Sequence, residues 1–214
     1  MTSPELVSLL ARWSLPVAFA LFALVDLAWP VLRQLQTTGA TGIAVHRAEP
    51  AERIVGMALL TGIVAAAGWA CVLGTFGPQR LGIRAAPAAV LAGDFLLVVS
   101  IVIVAAAQAQ MGRSWRVGID SARTALVTQG LFGRVRNPIY AGMMLALAGM
   151  VAVSPSAFTL LLFVQVALWI ALQARLEEAH LGRQHGEAYA AYAARVGRFV
   201  PGVGRLAQSD HLAT

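Results

Sequence analysis

Five long apolar segments constrain the fold of this chain more than any other feature. They cover residues 13–32, 54–76, 87–109, 138–153 and 156–174. Most of them approach or exceed the roughly 20 apolar residues that an α-helix needs to cross a bilayer, and only 12% of the chain is charged. The sequence therefore predicts an all-α integral membrane protein with about five transmembrane helices.

The fourth and fifth segments lie close together in the chain. Ser154-Pro155-Ser156 is the whole polar break between them, which predicts a hairpin of two antiparallel helices with its turn at one membrane face. At about 1.5 Å per residue, the fourth segment reaches only about 24 Å of the roughly 30 Å hydrocarbon core. We therefore expect neighbouring helices to shield part of the fourth helix.

The distribution of arginine predicts the orientation in the membrane. All 16 basic residues are arginine, and with five spans only Arg12, Arg80 and Arg84 share a side with the N-terminus. Because cytoplasmic loops are enriched in basic residues, we expect a cytoplasmic C-terminus and an external N-terminus in the cell membrane. Topology then explains the net charge of +6, and no nucleic-acid partner is expected. The first segment lacks the basic start of a cleavable signal.

Polar and aromatic residues border the fourth helix. Arg136 and Asn137 precede it, Pro138 would be its first residue, and Tyr140 lies in its first turn. Asn is a favoured N-cap and Pro a favoured first residue, so one interpretation is that this pair only begins a helix. Arg136 would then be a boundary residue and Tyr140 an interfacial aromatic residue. The alternative is that they form a site with the chain beyond the fifth helix.

A pair of carboxylates stands where the fifth helix leaves the membrane. These are Glu177 and Glu178, and the positive-inside rule gives no reason for them. Glu178 could pair with Arg175 three residues earlier on the helix. Alternatively, a carboxylate at the rim of an apolar cavity would bind a cationic group, because attraction between charges is strong where water is excluded.

The tail beyond these carboxylates predicts one more helix. Tyr189 and Tyr192 recur at helical spacing on one face, so we expect an amphipathic cytoplasmic helix from residue 177 to residue 195. Pro201-Gly202 ends the pattern. The chain would thus comprise a three-span membrane region (1–110), a second region (111–202) and a loose tail (203–214).

The remaining polar residues suggest structural roles. Asp26 and Asp94 are acids inside apolar segments, and we expect each to bond to a neighbouring helix or to lie near a helix end. His180 and His185 have poor spacing for one metal and no third ligand nearby, so no metal site is predicted. The single cysteine, Cys71, is expected to be a buried, unreactive thiol. Small residues that let helices approach are predicted at Gly56, Gly62, Gly68 and Gly74.

Two stretches resemble the sequence patterns of a known family. Residues 126–142, LVTQGLFGRVRNPIYAG, resemble LVTxGxYxxxRHPxYxG, and residues 177–201, EEAHLGRQHGEAYAAYAARVGRFVP, resemble EExxLxxxxGxxYxxYxxxVxRxxP. Together, and in this order, they resemble the isoprenylcysteine carboxyl methyltransferase family, which is related to the phospholipid methyltransferases; the chain looks like a bacterial-type member. Two positions depart from the pattern. Asn137 replaces a histidine and cannot accept a proton at neutral pH, and Phe132 replaces a tyrosine and lacks its hydroxyl.

The resemblance implies an integral membrane enzyme that transfers a methyl group from S-adenosyl-L-methionine to a lipophilic acceptor at the cytoplasmic face. The acceptor would be the carboxylate of a prenylcysteine-like compound or another lipid or small hydrophobic molecule, entering from the bilayer without an obligate protein partner. Residues 111–202 would form the methyltransferase core. The cofactor would lie against residues before and within the fourth helix and against the tail: Arg136, Asn137, Pro138, Tyr140, Glu178, Tyr189, Tyr192 and Arg198.

The residue types suit methyl transfer without reference to the family. Arg136, Arg175 or Arg198 could hold a carboxylate bidentately. A carboxylate acceptor is already ionised, whereas an amine, phenol or thiol requires a base, for which Glu177 and Glu178 are the candidates. Two other functions stay open: an NADPH-dependent membrane reductase related to the sterol reductases, and a non-catalytic membrane scaffold.

Overall fold

The protein is built from helices. A computed structural model describes residues 3–39, 41, 50–112 and 125–206. Within these ranges there is no β-strand, which confirms the predicted all-α class. The helices are α1 (Ser3–Phe22), a π-helical turn (Ala23–Ala28), α2 (Trp29–Thr38), α3 (Pro50–Arg80), α4 (Pro87–Met111), α5 (Pro138–Val153), α6 (Ala157–His185) and α7 (Glu187–Arg195).

The helices have the length and surface of membrane spans. Large apolar side chains such as Leu24, Phe95 and Leu161 are exposed on them, and an apolar surface of this extent is suited to lipid. Cys71 is also exposed, so its predicted burial is wrong, because apolar residues of a membrane helix can face lipid as well as the core. α5 is apolar but shorter than a span. The stretches long enough to cross a membrane are Glu5–Thr38, Pro50–Arg80, Pro87–Met111 and Ala157–His185.

The short helix α5 packs closely against α4 because glycines lie at their contact. A Cβ atom on Gly149 would lie 2.8 Å from the carbonyl oxygen of Gly93, and one on Gly142 would lie 2.6 Å from Cγ2 of Val104. Contacts this short leave no room for a larger residue and bring the two backbones together. α5 also packs against α6, so its neighbours shield it as its length led us to expect.

Only two of the four regularly spaced glycines of α3 mark helix contacts. A Cβ on Gly62 would lie 2.5 Å from Val166 of α6, and one on Gly74 would lie 3.0 Å from Pro16 of α1. A Cβ on Gly56 or Gly68 would have no atom of the described residues within 4 Å, so the interpretation as packing residues is wrong for these two. A step of six residues turns a helix by about 240°, and the four positions therefore cannot face one neighbour.

Pro30 disturbs the first long helix, which consists of α1, the π-helical turn and α2. It has no N–H to donate to the carbonyl group of Asp26, four residues earlier, and residues 23–28 adopt a π-helical turn. Gln108 of α4 supplies the missing donor, since its Nε2 lies 2.8 Å from the Asp26 carbonyl oxygen. The Asp26 carboxylate is buried and has no hydrogen-bond partner among the described residues. The expected side-chain bond from Asp26 to a neighbouring helix is therefore wrong.

Residues 177–195 belong to two helices instead of one. α6 continues past Glu177 and Glu178 to His185, and Gly186 then interrupts it with a φ of +53°. Positive φ is readily adopted by glycine and costly for other residues. The prediction of one helix over residues 177–195 is thus wrong at Gly186, because glycine permits this conformation without requiring it. The break turns α7 away from the axis of α6.

Candidate active site

Two non-helical segments meet where α5 begins. The entry segment (residues 131–137) leads into α5, and the tail loop (residues 196–206) follows α7. Val135 and Gly197 form an isolated parallel bridge. The backbone N–H of Arg136 donates to the Gly197 carbonyl at 2.8 Å, and that of Asn137 donates to the Arg198 carbonyl at 3.0 Å. These bonds bring the two sequence patterns into direct contact.

Glu178 lies at the centre of a buried ionic network. Its carboxylate accepts hydrogen bonds from Nη2 of Arg136 at 2.9 Å, Nη2 of Arg198 at 2.7 Å and Nδ2 of Asn137 at 3.2 Å. The side chains of Arg136 and Glu178 are 1% and 6% exposed, so their charges are balanced by each other more than by water. Arg175 is exposed, and the alternative pairing of Glu178 with Arg175 is wrong.

Arg136 also binds the end of α7 and the tail loop. Its Nη1 donates to the carbonyl oxygens of Ala193, at 3.1 Å, and Val196, and its Nη2 donates to that of Gly204 at 2.9 Å. The last carbonyl groups of a helix lack intrahelical donors, and a cation is favoured at this negative end. One guanidinium group thereby holds α6, α7 and the tail loop together.

Gly197→Ala is expected to displace the tail loop. A Cβ at this position would lie 2.1 Å from the Val200 carbonyl oxygen and 2.8 Å from the backbone nitrogen of Gly202, and backbone atoms cannot rotate away as a side chain can. We expect a loss of about 1–3 kcal/mol in the free energy of unfolding, measured by thermal unfolding in detergent. Gly68→Ala, which meets open space, is the matched control. Equal unfolding temperatures for the two variants would contradict this account of the loop.

The two tail tyrosines hold the entry segment in place. The hydroxyl of Tyr192 donates to the Phe132 carbonyl oxygen at 2.7 Å, and the rings of Tyr189 and Tyr192 meet edge to face with centroids 6.0 Å apart. Burial raises the pKa of Tyr192 to about 12 and also raises the pKa of Tyr189. Both phenols therefore stay protonated at neutral pH, and the Tyr192 hydroxyl can act as a donor. Each tyrosine is almost fully buried.

A second polar group lies beside the network and includes a residue that the sequence did not indicate. The hydroxyl of Tyr140 donates to Oε1 of Glu177 at 2.5 Å, and Nε2 of Gln173 donates to the same oxygen at 3.0 Å. Gln173 is only 6% exposed. Its signal in the sequence was a lone polar residue at the end of the fifth apolar segment, one helical turn before Glu177. Oε2 of Glu177 accepts no hydrogen bond from the described residues.

The structure brings most of the predicted site residues together, with one exception. Arg136, Asn137 and Arg198 each donate a hydrogen bond to Glu178, and Pro138 is buried as the first residue of α5. Arg175 stays outside, exposed on α6 and without an ion pair to either glutamate in the part of the chain that the structure describes. No group of three potential metal ligands occurs among the described residues.

The region around these residues matches a known family. Residues 88–188 match the family model described as phospholipid methyltransferase. The match covers 101 of the 214 residues, slightly less than half of the chain. The finding confirms the similarity to the related family that the two sequence patterns indicated, and it supports a membrane methyltransferase. A comparison with curated proteins finds no match.

The phospholipid methyltransferase domain covers α4, α5 and α6 and begins where α4 begins. It contains Arg136, Tyr140 and both glutamates, and it ends just before Tyr189. The tail loop that completes the ionic network therefore lies outside the matched region. The same is true of α1, α2 and α3, although α1 and α3 pack directly on the helices of the domain.

Proposed function

We propose that this protein transfers the methyl group of S-adenosyl-L-methionine to a lipophilic acceptor at the cytoplasmic face of the cell membrane. The acceptor is a prenylcysteine-like carboxylate or another lipid or small hydrophobic molecule. The observation that carries the proposal is the match of residues 88–188 to the phospholipid methyltransferases, whose members generally use this cofactor. The contact between the entry segment and the tail loop supports it, because it gathers the candidate residues at one membrane boundary.

The chemistry of the available groups fits the cofactor. S-adenosylmethionine carries a carboxylate, and Arg198 is the suitable donor: its side chain is 22% exposed, and its Nη1 makes no hydrogen bond within the described residues. Glu178 is different, because Arg136, Asn137 and Arg198 already occupy its oxygens. We therefore propose that Glu178, although expected to bind the cofactor or to act in catalysis, mainly positions Arg198 and the tail loop.

Glu177 is the residue that we assign to the acceptor. The bound cofactor supplies an electrophilic methyl carbon, which forms a bond with an electron pair of the acceptor as its bond to sulfur breaks. Where the acceptor bears a proton, Oε2 of Glu177 is free to take it, while Tyr140 and Gln173 hold Oε1. Hydrogen bonds to one oxygen fix the orientation of the other, and geometry of this kind is required for general base catalysis.

The orientation and the division of the chain follow the same proposal. We place the C-terminus in the cytoplasm and the N-terminus outside, because with α5 counted as a fifth crossing 13 of the 16 arginines lie on the cytoplasmic side. Residues 1–110, which include the helix α4 that is also part of the matched region, form the membrane region that admits the lipophilic acceptor, residues 111–202 form the methyltransferase core, and residues 203–214 are the tail.

A direct assay of methyl transfer tests the proposal. The full-length protein in lipid nanodiscs is incubated with S-adenosylmethionine labelled on the methyl group and with a membrane lipid extract, and label is counted in the organic phase. We expect transfer well above that of heat-inactivated protein, together with saturable binding of S-adenosylmethionine by calorimetry. Folded protein that binds NADPH but not S-adenosylmethionine would overturn the proposal in favour of the reductase, and binding of neither would favour the scaffold.

A further inference from the structure

The helices α3 and α6 pack side by side in opposite directions. Two contacts fix their register. The rings of Trp69 and Phe158 stack with centroids 4.8 Å apart, and a Cβ on Gly62 would lie 2.5 Å from Cγ2 of Val166. Seven residues back along α3, from 69 to 62, thus correspond to eight residues forward along α6, from 158 to 166. The two helices are therefore antiparallel neighbours over this length.

The same register brings Glu52 of α3 level with Glu177 of α6. Glu52 stands ten residues before Gly62, and Glu177 stands eleven residues after Val166. At about 1.5 Å per residue these steps are about 15 Å and about 16.5 Å along the two axes. The first turn of α3, which contains Glu52, therefore lies beside the glutamate that we assign to the acceptor.

Both glutamates lie on the faces where the two helices meet. On α3, Val55 and Leu59 follow Glu52 at helical spacing, and both are buried. On α6, Gln173 precedes Glu177 by one helical turn and is also buried. The carboxylates of Glu52 and Glu177 interact electrostatically. A helix outside the matched region 88–188 thus contributes a negative charge to the candidate active site.

The other titratable groups near Glu177 have different roles. Tyr140 of α5 donates its hydroxyl hydrogen to Oε1. Glu178, the next residue of α6, also interacts electrostatically with Glu177, but two arginines balance its charge. His180 follows Glu177 by three residues on the same helix. Among the described residues, Glu52 is the charged group that a separate helix brings to this side of Glu177.

We propose that Glu52 is a positioning residue for methyl transfer, whose negative charge makes Glu177 a stronger base. The inference rests on the proposed function and on Glu177 as its base. Oε2 of Glu177 takes the proton of the acceptor, while the electron pair of the acceptor bonds to the methyl carbon and the bond to sulfur breaks. A like charge nearby makes a carboxylate hold a proton more tightly, and a stronger base that is still ionised removes a proton faster. Both glutamates lie just outside the apolar segments 54–76 and 156–174, where water can carry the proton away.

The pH dependence of methyl transfer tests this role of Glu52. The rate of the full-length protein in lipid nanodiscs is measured from acidic to neutral pH, with saturating S-adenosylmethionine and a membrane lipid extract as the acceptor. In Glu52→Gln we expect the rate on the neutral plateau to fall about threefold, because a weaker base removes the proton more slowly. We also expect the midpoint of the acidic decline to move about one pH unit lower, because a weaker base stays ionised in more acidic solution. Binding of S-adenosylmethionine should stay close to that of the wild type.

Two variants serve as controls. Glu52→Asp keeps the charge and should keep the wild-type midpoint, and Glu187→Gln removes an exposed charge from α7 and should leave both plateau and midpoint unchanged. An unmoved midpoint in Glu52→Gln would overturn the inference even if the rate fell, because a role limited to the stability of α3 lowers the rate at every pH. An equal shift in Glu187→Gln would also overturn it. Absence of methyl transfer by the wild type would instead overturn the proposed function, and this inference with it, before any variant is compared.

Discussion

Glu178→Ala is expected to destabilise the protein by about 3–5 kcal/mol, the usual effect of removing one partner from a buried ion pair. The substitution leaves the buried Arg136 guanidinium without its carboxylate and frees Arg198 from α6. Because both arginines hold the tail loop, we also expect loss of S-adenosylmethionine binding. Chemical unfolding in detergent and calorimetric titration of the cofactor measure the two effects.

Glu187→Ala is the matched control for this prediction. Glu187 is an exposed glutamate at the start of α7, and surface substitutions of this kind usually change stability by less than about 0.5 kcal/mol. Glu178→Gln keeps the shape of the side chain, so its free energy of unfolding should lie between those of the two alanine variants. It can still be measured if Glu178→Ala does not fold. If Glu178→Ala and Glu187→Ala had equal free energies of unfolding, the ionic network would not be what holds the tail loop to the helices.

Glu177→Gln is expected to reduce methyl transfer while leaving the folded structure and cofactor binding intact. The substitution keeps an oxygen that can accept the bonds from Tyr140 and Gln173 but removes the proton acceptor, and general base catalysis typically contributes 10²- to 10⁴-fold in rate. We therefore expect methyl transfer to a lipid amine to fall by at least about 100-fold. Binding of S-adenosylmethionine and the unfolding temperature should stay close to those of the wild type.

Tyr140→Phe is a useful companion to this variant. It removes one of the two described bonds to Oε1 of Glu177 and leaves the carboxylate in place, so a smaller decrease in rate is expected. A Glu177→Gln protein that transfers methyl groups at the wild-type rate would rule out Glu177 as the base. The acceptor would then have to be ionised already, as the carboxylate of a prenylcysteine-like compound is.

The helical spans and their order could be predicted from the sequence because both depend on local properties. The length of each apolar segment is compared with the fixed thickness of a bilayer, and the Ser154-Pro155-Ser156 break ends one helix and begins the next. The candidate site was recognisable for a similar reason: its residues fall in two short patterns, and Arg136, Asn137, Glu178 and Arg198 do meet in the structure.

The division of labour between the two glutamates was not predictable. Glu177 and Glu178 are identical in type and adjacent in the chain, but successive residues of a helix point about 100° apart. Packing of α6 between α5 and the tail loop directs Glu178 towards two arginines and Glu177 towards Tyr140. The exclusion of Arg175 and the recruitment of Gln173 follow from the same packing, which no local pattern records.

The sequence by itself determined that this chain is a helical membrane protein with a methyltransferase pattern at one membrane boundary, because span length, charge asymmetry and motif spacing are properties of contiguous residues. Only the tertiary structure decided which charges meet. The positive φ of Gly186 redirects α7 so that Arg198 reaches Glu178, and Gln108 reaches the Asp26 carbonyl across 82 residues of chain. Such contacts depend on how helices pack, and each is set by the sum of many side-chain volumes.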